Sequence, residues 1–165
     1  MKTLWAPWRM PYIAGSEPTS GCLFCTKIAE HRDEENFILY RGQKCFVMLN
    51  LYPYNSGHLM VVPYQHTGAF DQIDAAVGAE VFETAQVSVH ILQEVMKPDG
   101  FNLGVNQGKT AGAGVVDHIH LHAVPRWNGD TSFMPVLADT KVIPELLSST
   151  YRKLRPLFER YSGTQ

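Results

Sequence analysis

The chain has 165 residues, of which 45% are hydrophobic and 18% charged, and its formal net charge is -2 at pH 7. This length predicts one domain with its own core, and the composition excludes a disordered or fibrous chain. With this charge and no basic run, we expect no nucleic-acid partner. No signal peptide is evident and no apolar run approaches membrane-spanning length, so we expect a cytoplasmic protein without membrane contact.

The first 21 residues carry Pro7 and Pro11 within five positions, a pattern that suits neither a helix nor a central strand. We therefore expect an extended N-terminal arm over residues 1–21. Its tryptophans, Trp5 and Trp8, could stack on a nucleobase, or pack on their own domain or on a second subunit.

Cys22 and Cys25 follow the arm with two residues between them. This spacing lets two thiolates hold one tetrahedral metal ion, although redox pairs share it. The third cysteine, Cys45, lies in a predicted strand and is expected to be a small core residue. We expect no disulfide framework from three cysteines so placed.

The middle of the chain predicts a sheet and one long helix. Short runs rich in β-formers predict strands at 37–40, 44–49, 58–62 and 101–105, the first two as a hairpin. Between 71 and 96, residues that suit a buried face recur at intervals of three and four, which predicts an amphipathic helix begun by Asp71 or Asp74. These residues are Val77, Val81, Ala85, Ser88, Leu92 and Val95.

A glycine-rich loop at 106–114 follows the fourth predicted strand. Its Gly-Lys-Thr segment at 108–110 is similar to the end of a P-loop. However, Gly104 is one residue too near to Gly108 for the spacing of a P-loop. Residues 111–114 also cannot form the start of the helix that must follow a P-loop. We expect instead a loop whose backbone N–H groups line an anion site. Beyond it, a second helix is predicted from Pro144 to about residue 160.

Residues 117–126 predict a strand on which His118, His120 and His122 alternate with apolar residues. Side chains alternate faces along a strand, so the histidines share one face and the apolar residues face the core. Same-face residues lie ~6.6 Å apart, which lets neighbouring imidazoles touch different atoms of an elongated ligand such as a phosphate chain. A metal site on these histidines is a second interpretation, and a polar strand face without function is a third.

The segment 118–124, His-Ile-His-Leu-His-Ala-Val, resembles the signature of the histidine-triad superfamily. Residues 49–63 are similar to the strand–turn–strand segment of that superfamily, with Ser56 before Gly57 and His58. The opening Leu-Trp-Ala-Pro-Trp-Arg and the Trp-x-Gly-Asp segment at 127–130 are most similar to the fragile-histidine-triad branch and to bacterial diadenosine polyphosphate phosphorylase-like members. The resemblance implies one domain of α+β class, with an antiparallel sheet of about five strands and two main helices.

This resemblance also implies an enzyme that splits dinucleoside polyphosphates, such as diadenosine tri- or tetraphosphate, with water or inorganic phosphate as acceptor. His120 would be the nucleophile that forms a nucleotidyl-histidine intermediate, and His122 and His58 would hold phosphate oxygens. The implied substrate-binding residues are Asn50 for the ribose, Met48 and Leu51 for the base, and Asn106, Gly112, Ala113 and Gly114 for the phosphates. Gly114 stands where hydrolases of the family often carry Gln or Ser, so backbone N–H groups are expected to replace that side chain.

A structural zinc ion is the third implication of the resemblance. Its ligands would be Cys22, Cys25, His66 and His118, with empty thiols as the alternative. Such a closed site would brace the strand two residues from His120. It would also use His118, which argues against a catalytic metal on all three triad histidines.

Two other functions stay open: a nucleotide-binding signalling module with incidental turnover, and a nucleoside phosphoramidate hydrolase. The intact nucleophile position favours an enzyme over the module. We also expect a homodimer, as is usual in the family. Val87, Val89 and Ile91 lie off the main stripe of the long helix, which predicts a subunit interface there.

Overall fold

The computed structural model describes residues 21–130, 143 and 145–162. The predicted arm, apart from Gly21, lies outside the described residues, as do its tryptophans. Pro144, the predicted start of the last helix, also lies outside them. No helix in the described part of the chain is long and apolar enough to span a membrane.

Five strands form one antiparallel sheet, which confirms the predicted α+β class. The strands are β1 (Ile38–Arg41), β2 (Cys45–Leu49), β3 (Leu59–Pro63), β4 (Gly100–Val105) and β5 (Leu121–Arg126). Their order is β1-β2-β3-β5-β4, so the last strand in the chain lies between β3 and β4. This order places the triad segment inside the sheet rather than at its edge. The predicted triad strand began at residue 117, whereas β5 begins at Leu121.

Within the described residues three α-helices accompany the sheet, namely α1 (Leu23–Ala29), α2 (Ala75–Met96) and α3 (Leu147–Ser162). The two main helices α2 and α3 agree with the prediction. The seven-residue α1 was not predicted, because a segment so short has no amphipathic repeat to reveal it. Asp74 precedes α2, and Lys97 ends it with a left-handed backbone at φ 48°.

The larger core lies between α2, α3 and one face of the sheet. Leu92, Leu154 and Phe158 are fully buried there against strand residues such as Val47 and Val61. Ile91 is 5% exposed and belongs to this core, and Val87 packs against it, so neither is available to the subunit interface that the sequence predicted. The reason is that α3 packs beside α2, which widens the buried face of α2. Val89, the third residue of that prediction, is half-buried.

The opposite face of the sheet carries a smaller apolar cluster, which α1 covers. Phe24 of α1 is buried with Phe46, Met48, Met60 and Val62 from β2 and β3. This cover extends over the β2 and β3 side of the sheet only. Toward β4 the same face is open, and Asn102 and Gly104 are exposed. The triad histidines lie between the covered and the open part.

Candidate functional site

A chain of hydrogen bonds positions His122. The backbone N–H of Tyr54 donates to Nδ1 of His58 at 3.1 Å, so the neutral His58 ring carries its proton on Nε2. That Nε2 donates to Nδ1 of His122 at 2.9 Å, which leaves the proton of His122 on its own Nε2. His122 can therefore donate this N–H to a ligand. His58 is 1% exposed and uses both nitrogens inside the protein, so it positions His122 instead of contacting phosphate as the sequence suggested.

The tautomer of His120 is fixed in the opposite sense. Its Nδ1 donates to the carbonyl oxygen of His118 at 2.9 Å, so Nε2 holds a lone pair. The ring packs against Phe24, with centroids 4.9 Å apart, and against His122 in a T-shaped pair at 4.7 Å. The two histidines thus present different groups side by side. His120 offers a nucleophilic nitrogen, and His122 offers a hydrogen-bond donor.

Burial keeps these rings neutral. Burial, together with the imidazoles of His122 and His120, lowers the pKa of His58 from 6.5 to about 3. Burial and the neighbouring His120 lower the pKa of His122 from 6.5 to about 4. Burial also lowers the pKa of His120, although the hydrogen bond to the His118 carbonyl acts in the other direction. A cationic ring would lose the lone pair or break the donor–acceptor order of the chain.

A cavity with about 610 Å³ of empty space, part of it open to solvent, lies beside His120 and His122. Seven of the predicted site residues line it: Met48, Asn50, Leu51, Gly112, Gly114, His120 and His122. Oδ1 of Asn50 accepts the Tyr52 backbone N–H at 2.9 Å, which leaves its amide nitrogen as the group able to donate to a ligand. The cavity is mainly apolar and ends at the two triad rings.

Sequence reasoning missed several apolar residues of this cavity. They are Leu23, Phe24, Tyr52, Tyr54, Met60 and Val115. Met60 could have been found, because it lies two residues from His58 and pairs with His122 across β3 and β5. Leu23 and Phe24 could not, since only the packing of α1 brings them to the sheet.

The glycine-rich loop bonds three of its N–H groups within itself, those of Ala111, Gly112 and Ala113. Gly112 donates to the Lys109 carbonyl at 3.0 Å and Ala113 to the Gly108 carbonyl at 3.2 Å, in a turn where Gly112 has φ 88°. Both amides are thus engaged within the loop. Among the described residues, the N–H of Gly114 has no hydrogen-bond partner. Gly114 is therefore the predicted loop residue whose amide can turn to a ligand.

Asn106, the remaining predicted phosphate-binding residue, does not line this cavity. It lies at a second cavity on the other side of His122.

The four predicted metal ligands come together beside the triad. The Nδ1 of His118 lies 3.2 Å from Sγ of Cys22, 3.7 Å from Sγ of Cys25 and 3.3 Å from Nδ1 of His66. Sγ of Cys25 lies 3.5 Å from Nδ1 of His66, and all four ligand atoms are within 4.8 Å of one another. A tetrahedral zinc with bonds of ~2.3 Å to sulfur and ~2.0–2.1 Å to nitrogen separates its ligand atoms by roughly 3.3–3.8 Å. The cluster therefore has the spacing and the donor set of such a site.

The orientation of His118 also fits metal binding. Its Nε2 donates to the carbonyl oxygen of Pro63 at 2.8 Å, which leaves the lone pair of Nδ1 directed at the two thiols. His118 is 1% exposed, and its ring forms an edge contact with Phe24 at 5.3 Å. Phe24 thus touches both His118 and His120. The cluster and the ring of His120 therefore share one wall.

Comparison with known proteins gives consistent matches. Residues 31–129 match the family model of the HIT domain. An AP-4-A phosphorylase from Mycobacterium tuberculosis is 39% identical over 161 residues, which cover 93% of this chain and 83% of that protein. Among solved structures, a Zn-bound histidine triad family protein from Mycobacterium smegmatis has a TM-score of 0.70 and 28% identity, over 88% of this chain and 99% of that one. A hypothetical histidine triad nucleotide-binding protein from Sulfolobus tokodaii has a TM-score of 0.69 and 27% identity, over 86% and 94% of the two chains.

The neutral pair His58 and His122 predicts a loss of stability in acid. Below the ordinary pKa of 6.5 both rings take up protons in the unfolded chain. In the folded protein the pKa is about 4 for His122 and about 3 for His58, so both rings stay neutral until the pH is lower. The free energy of unfolding should therefore fall as the pH drops from 6.5. Urea unfolding of the wild type across this range measures the fall.

The matched variants separate this effect from the rest of the protein. His58→Gln combined with His122→Gln should show a smaller fall over the same pH range, because two groups no longer titrate. His90→Gln, at an exposed position of α2, should behave as the wild type. An identical fall in all three proteins would contradict the assignment.

Proposed function

Because the chain belongs to the HIT-domain, or histidine-triad, family, we propose that it splits dinucleoside polyphosphates by transferring a nucleotidyl group to His120 and then to inorganic phosphate. The family and the phosphorylase relative support a nucleotide-processing enzyme. One observation carries the finer proposal. The lone pair on Nε2 of His120 lies beside the N–H of His122 at the end of a mainly apolar cavity. This arrangement suits attack on a phosphorus atom whose charge needs a donor.

The cavity would hold the nucleoside of the reacting half. Met48, Met60 and Leu51 give it apolar walls for a base, and the amide nitrogen of Asn50 can donate to a ribose hydroxyl. Binding the nucleoside here places its 5′-phosphate at the triad end. The rest of the substrate then extends away from the cavity.

In the first step, Nε2 of His120 forms a bond to the α-phosphorus while the bond to the bridging oxygen breaks. The leaving polyphosphate takes the electron pair of that bond. The N–H of His122 and the N–H of Gly114 stabilise the negative charge on the phosphorus oxygens. His58 acts as a positioning residue, because it holds His122 in the tautomer that donates.

In the second step, an oxygen of inorganic phosphate attacks the phosphorus and the P–N bond breaks. His120 regains its lone pair. Diadenosine tetraphosphate would thus give ATP in the first step and ADP in the second. The name of the Mycobacterium tuberculosis relative supports phosphate as the acceptor. Water in its place would give AMP.

We also propose that Cys22, Cys25, His66 and His118 hold a structural zinc ion. The distances among the four ligand atoms and the direction of the His118 lone pair support this site, as does the Zn-bound relative of similar fold. A metal held there would connect α1 to the segment that leads into β5. Its chemical contribution is a cross-link that keeps Phe24 against His120.

A cytoplasmic location and a small-molecule substrate belong to the same proposal. Cys22, Cys25 and Cys45 are free thiols. Thiols are kept reduced in the cytoplasm, where metal thiolate sites persist. The overall charge of -2 gives no reason to expect a nucleic-acid partner.

Finally, we propose a homodimer formed at the outer edge of β4. Within the described residues β4 has no strand on that side, and unpaired edge groups favour pairing with another chain. Leu103 of β4 is 55% exposed, and Phe82 on α2 is 64% exposed. These groups replace Ile91 and Val87 as the apolar surface that supports the dimer.

The role of His120 predicts a specific loss. His120→Asn should abolish turnover of diadenosine tetraphosphate and leave nucleotide binding nearly unchanged, because the apolar cavity and Asn50 remain. His122→Asn should lower the rate by about 10²–10³-fold, the usual effect of losing one charge-stabilising donor. Product chromatography with and without inorganic phosphate measures both effects.

Mass spectrometry of quenched wild-type protein tests the intermediate directly. An acid-labile AMP adduct is expected on a peptide spanning residues 116–126. An adduct on another peptide, or undiminished turnover in His120→Asn, would show that His120 is not the nucleophile.

The zinc proposal predicts about one metal ion per chain. Cys22→Ala should lose the metal and unfold at lower denaturant concentration, because metal binding is coupled to folding. Cys45→Ala is the matched control, since Cys45 is buried in the other core and should keep the metal. Elemental analysis after dialysis measures the content. Full metal content in Cys22→Ala would refute the site.

The dimer proposal predicts twice the chain mass in light scattering at micromolar concentration. Leu103→Lys should shift the mass toward the monomer, because it places a charge at the proposed contact. Leu146→Lys is the control, since Leu146 is 74% exposed just before α3. A monomeric wild type would end this proposal.

A further inference from the structure

A second cavity, of about 650 Å³, lies on the other side of His122 from the first. It follows the open part of the sheet, where Gly104 pairs with His122 and Asn102 pairs with Val124 across β4 and β5. His122 lines both cavities, whereas His120 lines only the first. From His122 to Arg126 the groove spans two same-face intervals, or roughly 13 Å.

The groups along this groove favour an anion. Arg126 donates from Nε and Nη2 to Asp130 at 2.6 and 2.8 Å, and from Nη1 to Oδ1 of Asn102 at 2.7 Å. These bonds use three of the five N–H donors of a guanidinium, and the side chain is still 42% exposed. Because Oδ1 of Asn102 accepts from Arg126, its amide nitrogen is a further donor. Within the described residues no carboxylate lines the cavity.

Asp130 pairs with Arg126 but does not line the groove. Its side chain is 9% exposed, and it also accepts from the backbone N–H of Trp127 and from Nδ2 of Asn55. The carboxylate is thus shared among several donors on the protein side. Arg126 is thereby held in one orientation, which suits a fixed contact with phosphate oxygens.

Gly104 leaves room for a ligand in the groove. A Cβ at this position would meet no atom within 4 Å, and its backbone is not in the left-handed region, so neither packing nor conformation requires glycine. Glycine inside a strand weakens it and often marks a place where a ligand or a backbone approaches closely. Gly104 lies on the sheet directly opposite His122.

In-line displacement determines what would occupy the groove. A leaving group departs on the side of the phosphorus opposite the attacking nitrogen, and the acceptor enters from that same side. His120 faces the first cavity, and the groove begins beyond His122. We propose that the second cavity is a phosphate subsite, which holds the phosphate chain of the leaving nucleotide and then the inorganic phosphate that replaces it. This inference rests on the proposed function.

The subsite would give the protein a preference for dinucleotides. A nucleoside monophosphate derivative with a small leaving group needs the first cavity and His122 only. A dinucleoside polyphosphate also gains contacts with Arg126, Asn102 and Asn106. Those contacts would select the substrate by the length of its phosphate chain.

Gly104→Val provides the test, because its Cβ would enter the groove with no protein atom within 4 Å, and valine favours a strand. Gly100→Val is the matched control, on the same strand and face and outside both cavities, where an added Cβ also meets nothing within 4 Å. Both changes are made in His120→Asn protein, so that binding is measured without turnover. Calorimetry then gives the dissociation constants for diadenosine tetraphosphate and for AMP.

We expect Gly104→Val to weaken binding of diadenosine tetraphosphate about tenfold, as the loss of one charge-assisted contact would, and to change AMP binding by less than about twofold. Gly100→Val should change neither. Equal affinity for the dinucleotide in both variants, or an equal loss for AMP, would overturn the subsite. Because β4 is also the proposed dimer edge, light scattering is run on both variants. A change of mass in Gly104→Val that Gly100→Val does not share would assign the groove to a subunit contact and overturn the subsite.

A second experiment distinguishes the two proposed occupants of the groove, the phosphate chain of the leaving nucleotide and the inorganic phosphate acceptor. Active protein is given diadenosine tetraphosphate and inorganic phosphate, and the ratio of ADP to AMP is measured. A lower ratio in Gly104→Val shows that the groove holds the acceptor, whereas a loss of dinucleotide binding alone shows that it holds the leaving half. If neither changes, the subsite is refuted.

The two levels of the proposal fail separately. Absence of the adduct on His120 in the wild type would end the proposed function. The calorimetric comparison would still decide whether the groove binds a phosphate chain.

Discussion

The hydrogen bond from Nδ1 of His120 to the carbonyl oxygen of His118 is the constraint on which the site depends. It leaves the lone pair on Nε2, and burial disfavours the cation that would remove it. The same logic applies in reverse to His122, whose Nδ1 is occupied by His58 and whose Nε2 therefore donates. Two neutral imidazoles two residues apart thus present opposite hydrogen-bonding groups, because their backbone and side-chain partners differ.

The proposed metal site and the nucleophile are parts of one arrangement. The ring of His118 carries its proton on Nε2, which donates to the carbonyl oxygen of Pro63, so its Nδ1 keeps a lone pair. The carbonyl oxygen of His118 accepts the hydrogen bond from Nδ1 of His120. A single residue therefore links the Cys and His cluster to the reacting ring. Phe24, one residue before Cys25, packs on both rings and makes α1 a wall of the first cavity. The Cys and His cluster and the ring of His120 therefore share Phe24 and His118 as neighbours.

Much of this protein could be predicted from local patterns. Runs of β-formers predicted all five strands to within a few residues, except that β5 begins at Leu121 and not at residue 117. The alternation of His118, His120 and His122 predicted one polar strand face, and the spacing of Cys22 and Cys25 predicted a metal or redox pair. These features depend on the spacing and type of residues within a short segment. That information is present in the sequence whatever the tertiary structure.

The sequence alone determined which chemistry the chain carries, and the tertiary structure decided where that chemistry acts. His58 and His122 are 64 residues apart, and Cys22 and His118 are 96 apart, so their contacts depend on the sheet order that places β5 between β3 and β4. The packing of α3 against α2 moved Ile91 from a predicted interface into the core. The groove beside Gly104 exists because α1 covers one part of a sheet face and leaves the other open. Such positions follow from the packing of distant segments, which no local pattern contains.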